Sequence, residues 1–409
     1  MDKYAKWITE AVEEMAETAI KEDGEYWRGT YTREDDRAVA LLKRYMEAKG
    51  LEVYSDPVGN LFGRVQGKTQ ELVMTGSHRD TVRRGGKYDG MLGILTAIEA
   101  VASLAEDLGR PEKTVEVAAF CEEESSRFPT SYLGSRYLCG EFREAELDDR
   151  DTAGMTLGEA MKHSGYLKEP LKGKRTDLQR FVELHIEQGG VLEQKQKQIG
   201  IVTAIVGLFS GEVYFKGHQN HAGTTPMYMR KDPMPVAAEF ICRLNKWAMG
   251  HQYDLVCTVG RMDIEPGNAN VIPDRIKITF DIRSTQAALI RQSAEVIENL
   301  KKELEGEIEI SVVVPCNEPP VALDEEGLAV MERIAQKGGY HYMKITSGAG
   351  HDSQILAQKF QTNMIFVPSV EGISHNEKEF TRTEDIEAGV HFLRDFLWEI
   401  AWKEGVCNE

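Results

Sequence analysis

The sequence predicts an α/β fold with a smaller α+β unit inserted into it. Three observations carry this: short apolar runs that alternate with helix-like stretches, a different rhythm between residues 211 and 315, and a length of 409 residues. A single hydrophobic core usually stops growing at roughly 250–300 residues, so two domains are the natural expectation.

In chain order, MDKYAKWITEAVEEMAETAIKED reads as an acidic amphipathic helix. It lacks the basic start and apolar stretch of a secretory signal. The runs at 72–74, 115–120, 181–184 and 364–367 read as buried strands, and 92–108 and 323–337 as helices between them. Such alternation implies a sheet covered by helices. From 211, GEVYFKGH reads as a strand, 235–247 as a helix and the region around 256–264 as a second strand. IKITFDIR then alternates strictly, with Ile276, Ile278, Phe280 and Ile282 on one face and Lys277, Thr279, Asp281 and Arg283 on the other. A helix over 286–304 and a strand over 307–314 complete βαββαβ, the ferredoxin-like order. This unit starts after Gly207 and ends at the turn-rich CNEPP of 316–320. The expected division is therefore 1–208 with 318–409 as one domain and 209–317 as the insert. There is no internal repeat and no low-complexity tract.

Lys and Arg total 49 against 67 Asp and Glu, a net charge of −18. That field repels a polyanion and no basic run offsets it, so nucleic acid is not an expected partner. The six cysteines, Cys121, Cys139, Cys242, Cys257, Cys316 and Cys407, form no CxxC pair and fit reduced thiols. No apolar run approaches the ~18 residues of a membrane span. The cytoplasm is the expected location, without a membrane partner.

The strands lead into residues of metal-ligand type. TGSHRDT carries His78, and GGKYDG carries Asp89. CEEESSRF carries Glu122, Glu123 and Glu124, HIEQGG carries His185, and GISHNE carries His375. In open α/β sheets the binding crevice lies at the carboxyl ends of the strands, so these groups can converge. Imidazole and carboxylate suit zinc and manganese alike. A shared carboxylate between two ions gives the two-metal arrangement, which makes a nucleophile of water near neutral pH. A carboxylate outside the coordination sphere must still take a proton, and Glu123 beside Glu124 can supply it. Taken singly, these motifs have ordinary readings: a lone His after a strand is usually structural, and an EEE run is usually a solvated surface. The run here, however, directly follows the buried strand VEVAAF. Cys121 reads as a packed thiol, and SGAGHDS lacks the Lys of a phosphate loop.

Together TGSHRDT, GGKYDG, EEESSRFP, ELHIEQG, NHAGTTPM, SGAGHD and GISHNE resemble the amidase/hydantoinase/carbamoylase branch of the aminoacylase-like dinuclear metallopeptidases. The resemblance covers about residues 55–381, in the family order. It implies a metallopeptidase-like catalytic domain carrying an inserted ferredoxin-like lid, through which two subunits pair as a homodimer. It implies two divalent ions per subunit, zinc or manganese. His78, Asp89 and His185 would surround one, and Asp89, Glu124 and His375 the other, with Asp89 bridging and Glu123 as general base. His185 stands where peptidase and deacylase relatives usually carry a carboxylate. Gln188, His221, Asn270, Arg283 and His351 match substrate-holding positions. Arg283 offers a fork for a carboxylate, His221 a donor to a developing oxyanion, and Gly350 a close backbone approach.

The expected substrate is a small carboxylate with a ureido group. EEExSRFP, NHAGTTP and MIFVPSxxGISHN look most like the allantoate-cleaving members, and the alternatives are N-carbamoyl-L-amino acid hydrolase or β-ureidopropionase. An aminoacylase or dipeptidase is disfavoured by His185, and a metal-dependent binding protein without catalysis by Glu123. Three positions depart from the family pattern: Arg79 at a usually uncharged place, Ser125 where Gly or Ala is common, and Arg28 in a loosely matching WRGTYT.

Overall fold

The structure, a computed structural model, describes residues 2–168, 171 and 173–403, so Cys407 lies outside the described residues. It forms two compact units, 1–203 with 322–409, and 204–321.

The first unit is built on a nine-stranded sheet. Its centre is parallel: Leu72–His78 lies between Thr114–Phe120 and Leu178–Ile186, and Gln361–Val367 pairs with the far side of Leu178–Ile186. These strands are longer than their apolar runs. Leu72–His78 continues through Thr75, Gly76, Ser77 and His78, all of them buried. Gly76 is required there, because a Cβ would stand 1.9 Å from the Ala118 carbonyl oxygen. Two short antiparallel strands, Glu52–Ser55 and Leu61–Val65, extend one edge and had no clear sequence signal.

Met91–Leu108 is buried continuously from Met91 to Leu104, as its nearly all-apolar sequence requires of a helix inside a core. The N-terminal helix Lys3–Thr18 buries Ala5, Ile8, Ala11, Val12 and Met15, a helical spacing, and is capped by the Asp2 carboxylate. Among the described residues no helix is long and apolar enough to cross a membrane.

The second unit has the expected βαββαβ order. Gly207–Lys216 and Arg275–Ser284 form its centre, Glu309–Glu318 flanks the former, and the helices Pro233–Met249 and Ala287–Leu304 pack on the same core as Phe215, Ile276, Phe280 and Ile282. Two expectations need correction. The strand expected around 256–264 is broken into Leu255–Thr258 and Met262–Glu265. Both pair with Arg275–Ser284, but three residues, 259–261, oppose only two, 279 and 280. That is a bulge, which Val259-Gly260-Arg261 accommodates. Cys316–Glu318, read as the start of a turn, instead continues the last strand beyond a register shift between Val313 and Cys316.

Candidate metal centre

The four parallel strands deliver their polar residues to one end of the sheet. His78 is the last residue of its strand and stands in register with Phe120, after which Glu122, Glu123 and Glu124 follow. His185 is in register with Phe366, one residue before the end of the last parallel strand. Asp89 precedes the buried helix that starts at Met91, where the helix dipole favours an anion.

At the middle is the Asp89 carboxylate. Its Oδ1 lies 3.2 Å from His78 Nε2 and 3.2 Å from His185 Nε2. Its Oδ2 lies 3.4 Å from His375 Nε2, which is in turn 3.2 Å from Glu124 Oε1. One carboxylate thus faces two sets of donors with its two oxygens. The imidazoles are oriented from behind. His78 Nδ1 donates to the Asp80 carbonyl at 3.1 Å and His185 Nδ1 to the Ile186 carbonyl at 2.9 Å, which leaves both Nε2 lone pairs facing inward. Gly90 N donates to His185 Nε2 at 3.2 Å, as an unprotonated nitrogen allows. Gly90 has φ 64°, and a Cβ there would meet the His78 carbonyl oxygen at 2.3 Å.

These residues fit a divalent metal. Asp89 Oδ1 is buried and accepts no hydrogen bond, a condition that costs about 1–3 kcal/mol for a polar atom without a partner. A cation among the inward-facing nitrogens would satisfy it. The acids and imidazoles of the cluster also act on one another. Burial pulls the His78 ring down, but Glu123, Asp89 and Asp80 outweigh it and hold the ring well above its ordinary value. Asp89 and Glu124 raise His375 to about 10. Burial opposes ionisation of Asp89, yet His185, His375 and His78 hold it well below the usual carboxylate range.

Glu123 is 6% exposed and groups with His78 and Glu124, with donor atoms all within 4.8 Å of one another. Burial, then the charges of Glu124, Asp352 and Asp80, push its carboxyl well up, against the pull of His78. The EEE run thus has three separate fates, none of them a solvated surface. The Glu122 carboxylate accepts from Arg127 N, Phe128 N and Ser126 Oγ and ties its own loop. Asp80 was not singled out in the sequence, although it stands inside TGSHRDT. Its Oδ1 and Oδ2 accept from Glu123 N and Glu124 N, each at 3.1 Å, and so place both acids. Ser374 and Glu379 were also missed; both reach Asp89.

Gln188 joins the cluster, donating from Nε2 to Asp89 Oδ2 at 2.7 Å. His351 packs its buried ring against His185 at 4.6 Å between centroids, with Nε2 3.0 Å from Ser347 Oγ. Burial and the neighbouring His185 hold it well below the usual imidazole value. At Gly350 the space where a Cβ would stand holds the Tyr132 hydroxyl, 1.9 Å away, so Tyr132 accounts for the glycine. Arg79 points away from the cluster into a fully buried bidentate pair with Asp35, at 2.7 and 3.1 Å. Ser125 adopts φ 50°, which explains why glycine suits that position. Arg28 is buried and donates to the Arg79 and Met15 carbonyls. Cys121 is a packed thiol, its Sγ on the Val58 carbonyl and its acidity suppressed by burial.

In the second unit His221 and Asn270 lie together, since Ala222 N donates to the Asn270 carbonyl and His221 pairs with Val271. His221 is exposed and its Nδ1 accepts from Gly223 N and Thr224 N, so the neutral ring carries its proton on Nε2. Arg283 is paired bidentately with Asp281 at 2.8 and 2.9 Å.

Residues 69–399 match the family model described as Peptidase family M20/M25/M40. The chain is 39% identical over 401 residues to allantoate amidohydrolase from Bacillus subtilis, covering 97% of each. It is 36% identical over 400 residues to N-carbamoyl-L-amino acid amidohydrolase from Geobacillus stearothermophilus, covering 96% of this chain and 97% of that one. Among solved structures, an amidase of the hydantoinase/carbamoylase family from Burkholderia multivorans matches with a TM-score of 0.89 and 34% identity over 98% of both chains. The chain therefore belongs to peptidase family M20/M25/M40 and is an amidohydrolase, a hydrolase of amide C–N bonds. Enzymes of this family are metal-dependent, and the clustered donors of the first unit are the candidate ligands.

Proposed function

We propose that the protein cleaves the carbamoyl group of a small ureido carboxylate, allantoate above all, using two divalent ions, zinc or manganese. The observation that carries this reading is the Asp89 carboxylate, whose two oxygens face separate sets of nitrogen and carboxylate donors. His78 and His185 would complete one site, and Glu124 and His375 the other. Such ions, when bound, activate water and polarise the carbonyl under attack.

The chain's own residues do the rest. Glu123 accepts the proton of the attacking water and returns it to the leaving nitrogen. Attack on the ureido carbonyl releases ammonia and a carbamate, which decays to carbon dioxide and a second amine. His221 offers its Nε2–H to the developing oxyanion, the tautomer that its Nδ1 contacts favour. Arg283, pre-oriented by Asp281, is the candidate to take the substrate carboxylate, and Asn270, Gln188, His351 and Gly350 are the other candidate substrate-binding residues, each on the resemblance to the family.

Similarity to allantoate amidohydrolase supports the substrate. The 36% identity to an N-carbamoyl-L-amino acid amidohydrolase keeps that activity as the second reading. The two differ in chemistry: allantoate has two ureido arms on one carbon, whereas an N-carbamoyl amino acid has one arm and a side chain. A site built to bond the second arm rejects analogues that lack it, because its buried polar groups are then unmet. Ammonia release from a panel of ureido acids is expected to be far faster for allantoate than for N-carbamoyl-methionine. The reverse order moves the assignment to the carbamoylase.

The 209–317 unit would serve as lid and as the pairing surface of a cytoplasmic homodimer. In support, Met227, Tyr228 and Met229 are 78, 87 and 63% exposed just after NHAGTTP. With His221 of one subunit serving the metal centre of its partner, mixed and refolded His221→Ala and Glu123→Gln chains are expected to recover part of the activity that each lacks alone. A strictly monomeric active enzyme contradicts the pairing.

A further inference from the structure

Two loops of the first unit that supply candidate ligands are joined by a side chain so far without a role. Glu379 is 2% exposed, and its Oε1 accepts from Tyr88 N at 2.9 Å and Asp89 N at 3.0 Å. Its Oε2 lies 2.9 Å from Ser374 Oγ, and the same hydroxyl lies 3.1 Å from Asp89 Oδ2. A Cβ on Gly86 would stand 2.0 Å from Glu379 Oε1, so the glycine keeps that place open for the acid. Ser374 also precedes His375, whose φ of 52° is a left-handed conformation that costs a non-glycine residue about 1–2 kcal/mol. Surrounding contacts must hold such a residue in place.

We infer that Glu379 is a positioning residue which, through Ser374, fixes the plane of the Asp89 carboxylate so that its two oxygens face different ions. The inference rests on the reading of Asp89 as the bridge. Glu379 holds Asp89 directly at the backbone N–H, and it holds Ser374, the hydroxyl that reaches the Asp89 carboxylate. Without that grip the carboxylate can turn about its side-chain torsion and give up the shared geometry.

The proton count makes the role testable. Ser374 has one hydroxyl proton and faces two carboxyl groups, so it donates to one at a time. A glutamine at 379 keeps an acceptor oxygen for Tyr88 N and Asp89 N. Its amide N–H donates to Ser374 Oγ and leaves the hydroxyl proton for Asp89 Oδ2. Glu379→Gln should therefore preserve the centre, whereas Glu379→Ala and Ser374→Ala should break it.

The test is a calorimetric titration of metal-stripped protein with Zn²⁺ or Mn²⁺, with bound metal counted by elemental analysis. Wild type is expected to take up two ions per chain. Glu379→Ala and Ser374→Ala should weaken the second ion by about 10–100-fold, the usual effect of removing a group that orients a ligand, and Glu379→Gln should match wild type. Wild-type protein that binds fewer than two ions sinks the bridging reading and this inference with it. Two ions in wild type and the same affinities in Ser374→Ala overturn this inference alone, as does a Glu379→Gln chain that loses as much as Glu379→Ala. If Glu379→Ala does not fold, the other two variants decide.

Discussion

Replacing Glu123 by Gln is expected to leave metal uptake intact and to lower turnover at least ~10²-fold, the usual contribution of a positioned general base. The exchange keeps the shape of a side chain that is almost fully buried and whose backbone N–H is fixed by Asp80 Oδ1. Only the capacity to accept a proton is removed. Turnover and bound metal are measured on the same preparation. A variant that loses its metal too would exchange the roles of Glu123 and Glu124, which are neighbours in sequence, are both placed by Asp80 and both group with His78.

Asp89→Ala is expected to lose both ions and all measurable activity. Each Asp89 oxygen faces a different set of donors, so the truncation empties the centre of both. The backbone there should persist, since the N–H groups of Tyr88 and Asp89 are held by Glu379 and the helix from Met91 is buried along nearly its whole length. Elemental analysis with a circular dichroism spectrum separates loss of metal from loss of fold. A folded Asp89→Ala chain that retains one tightly bound ion would mean that Asp89 serves a single site.

Much of this architecture was legible in the sequence because its signals are local. IKITFDIR alternates as a half-buried strand must, and the inserted unit follows from the order of four strands and two helices. The parallel strands were found by their apolar runs but cut short: Thr75, Ser77 and His78 are buried polar residues that hydropathy reads as the end of a strand. The break at Val259-Gly260-Arg261 was invisible because a bulge depends on the partner strand.

The site divides in the same way. His78, Asp89, Glu124, His185 and His375 lie at or beyond strand ends, where topology gathers polar groups, and the structure brings them together. Asp80, Ser374 and Glu379 act through partners that sequence spacing cannot supply, since Ser374 and Asp89 are 285 residues apart. The fate of Arg79 likewise depended on Asp35, a buried acid in a distant helix.

The most direct test of the two-metal reading is an add-back titration. The protein is stripped by chelation, Zn²⁺ or Mn²⁺ is returned in measured equivalents, and ammonia release from allantoate is followed. Activity should be absent from the stripped chain, rise with added metal and level off at two equivalents per chain. Full turnover by the stripped protein, or a plateau at one equivalent, would contradict it.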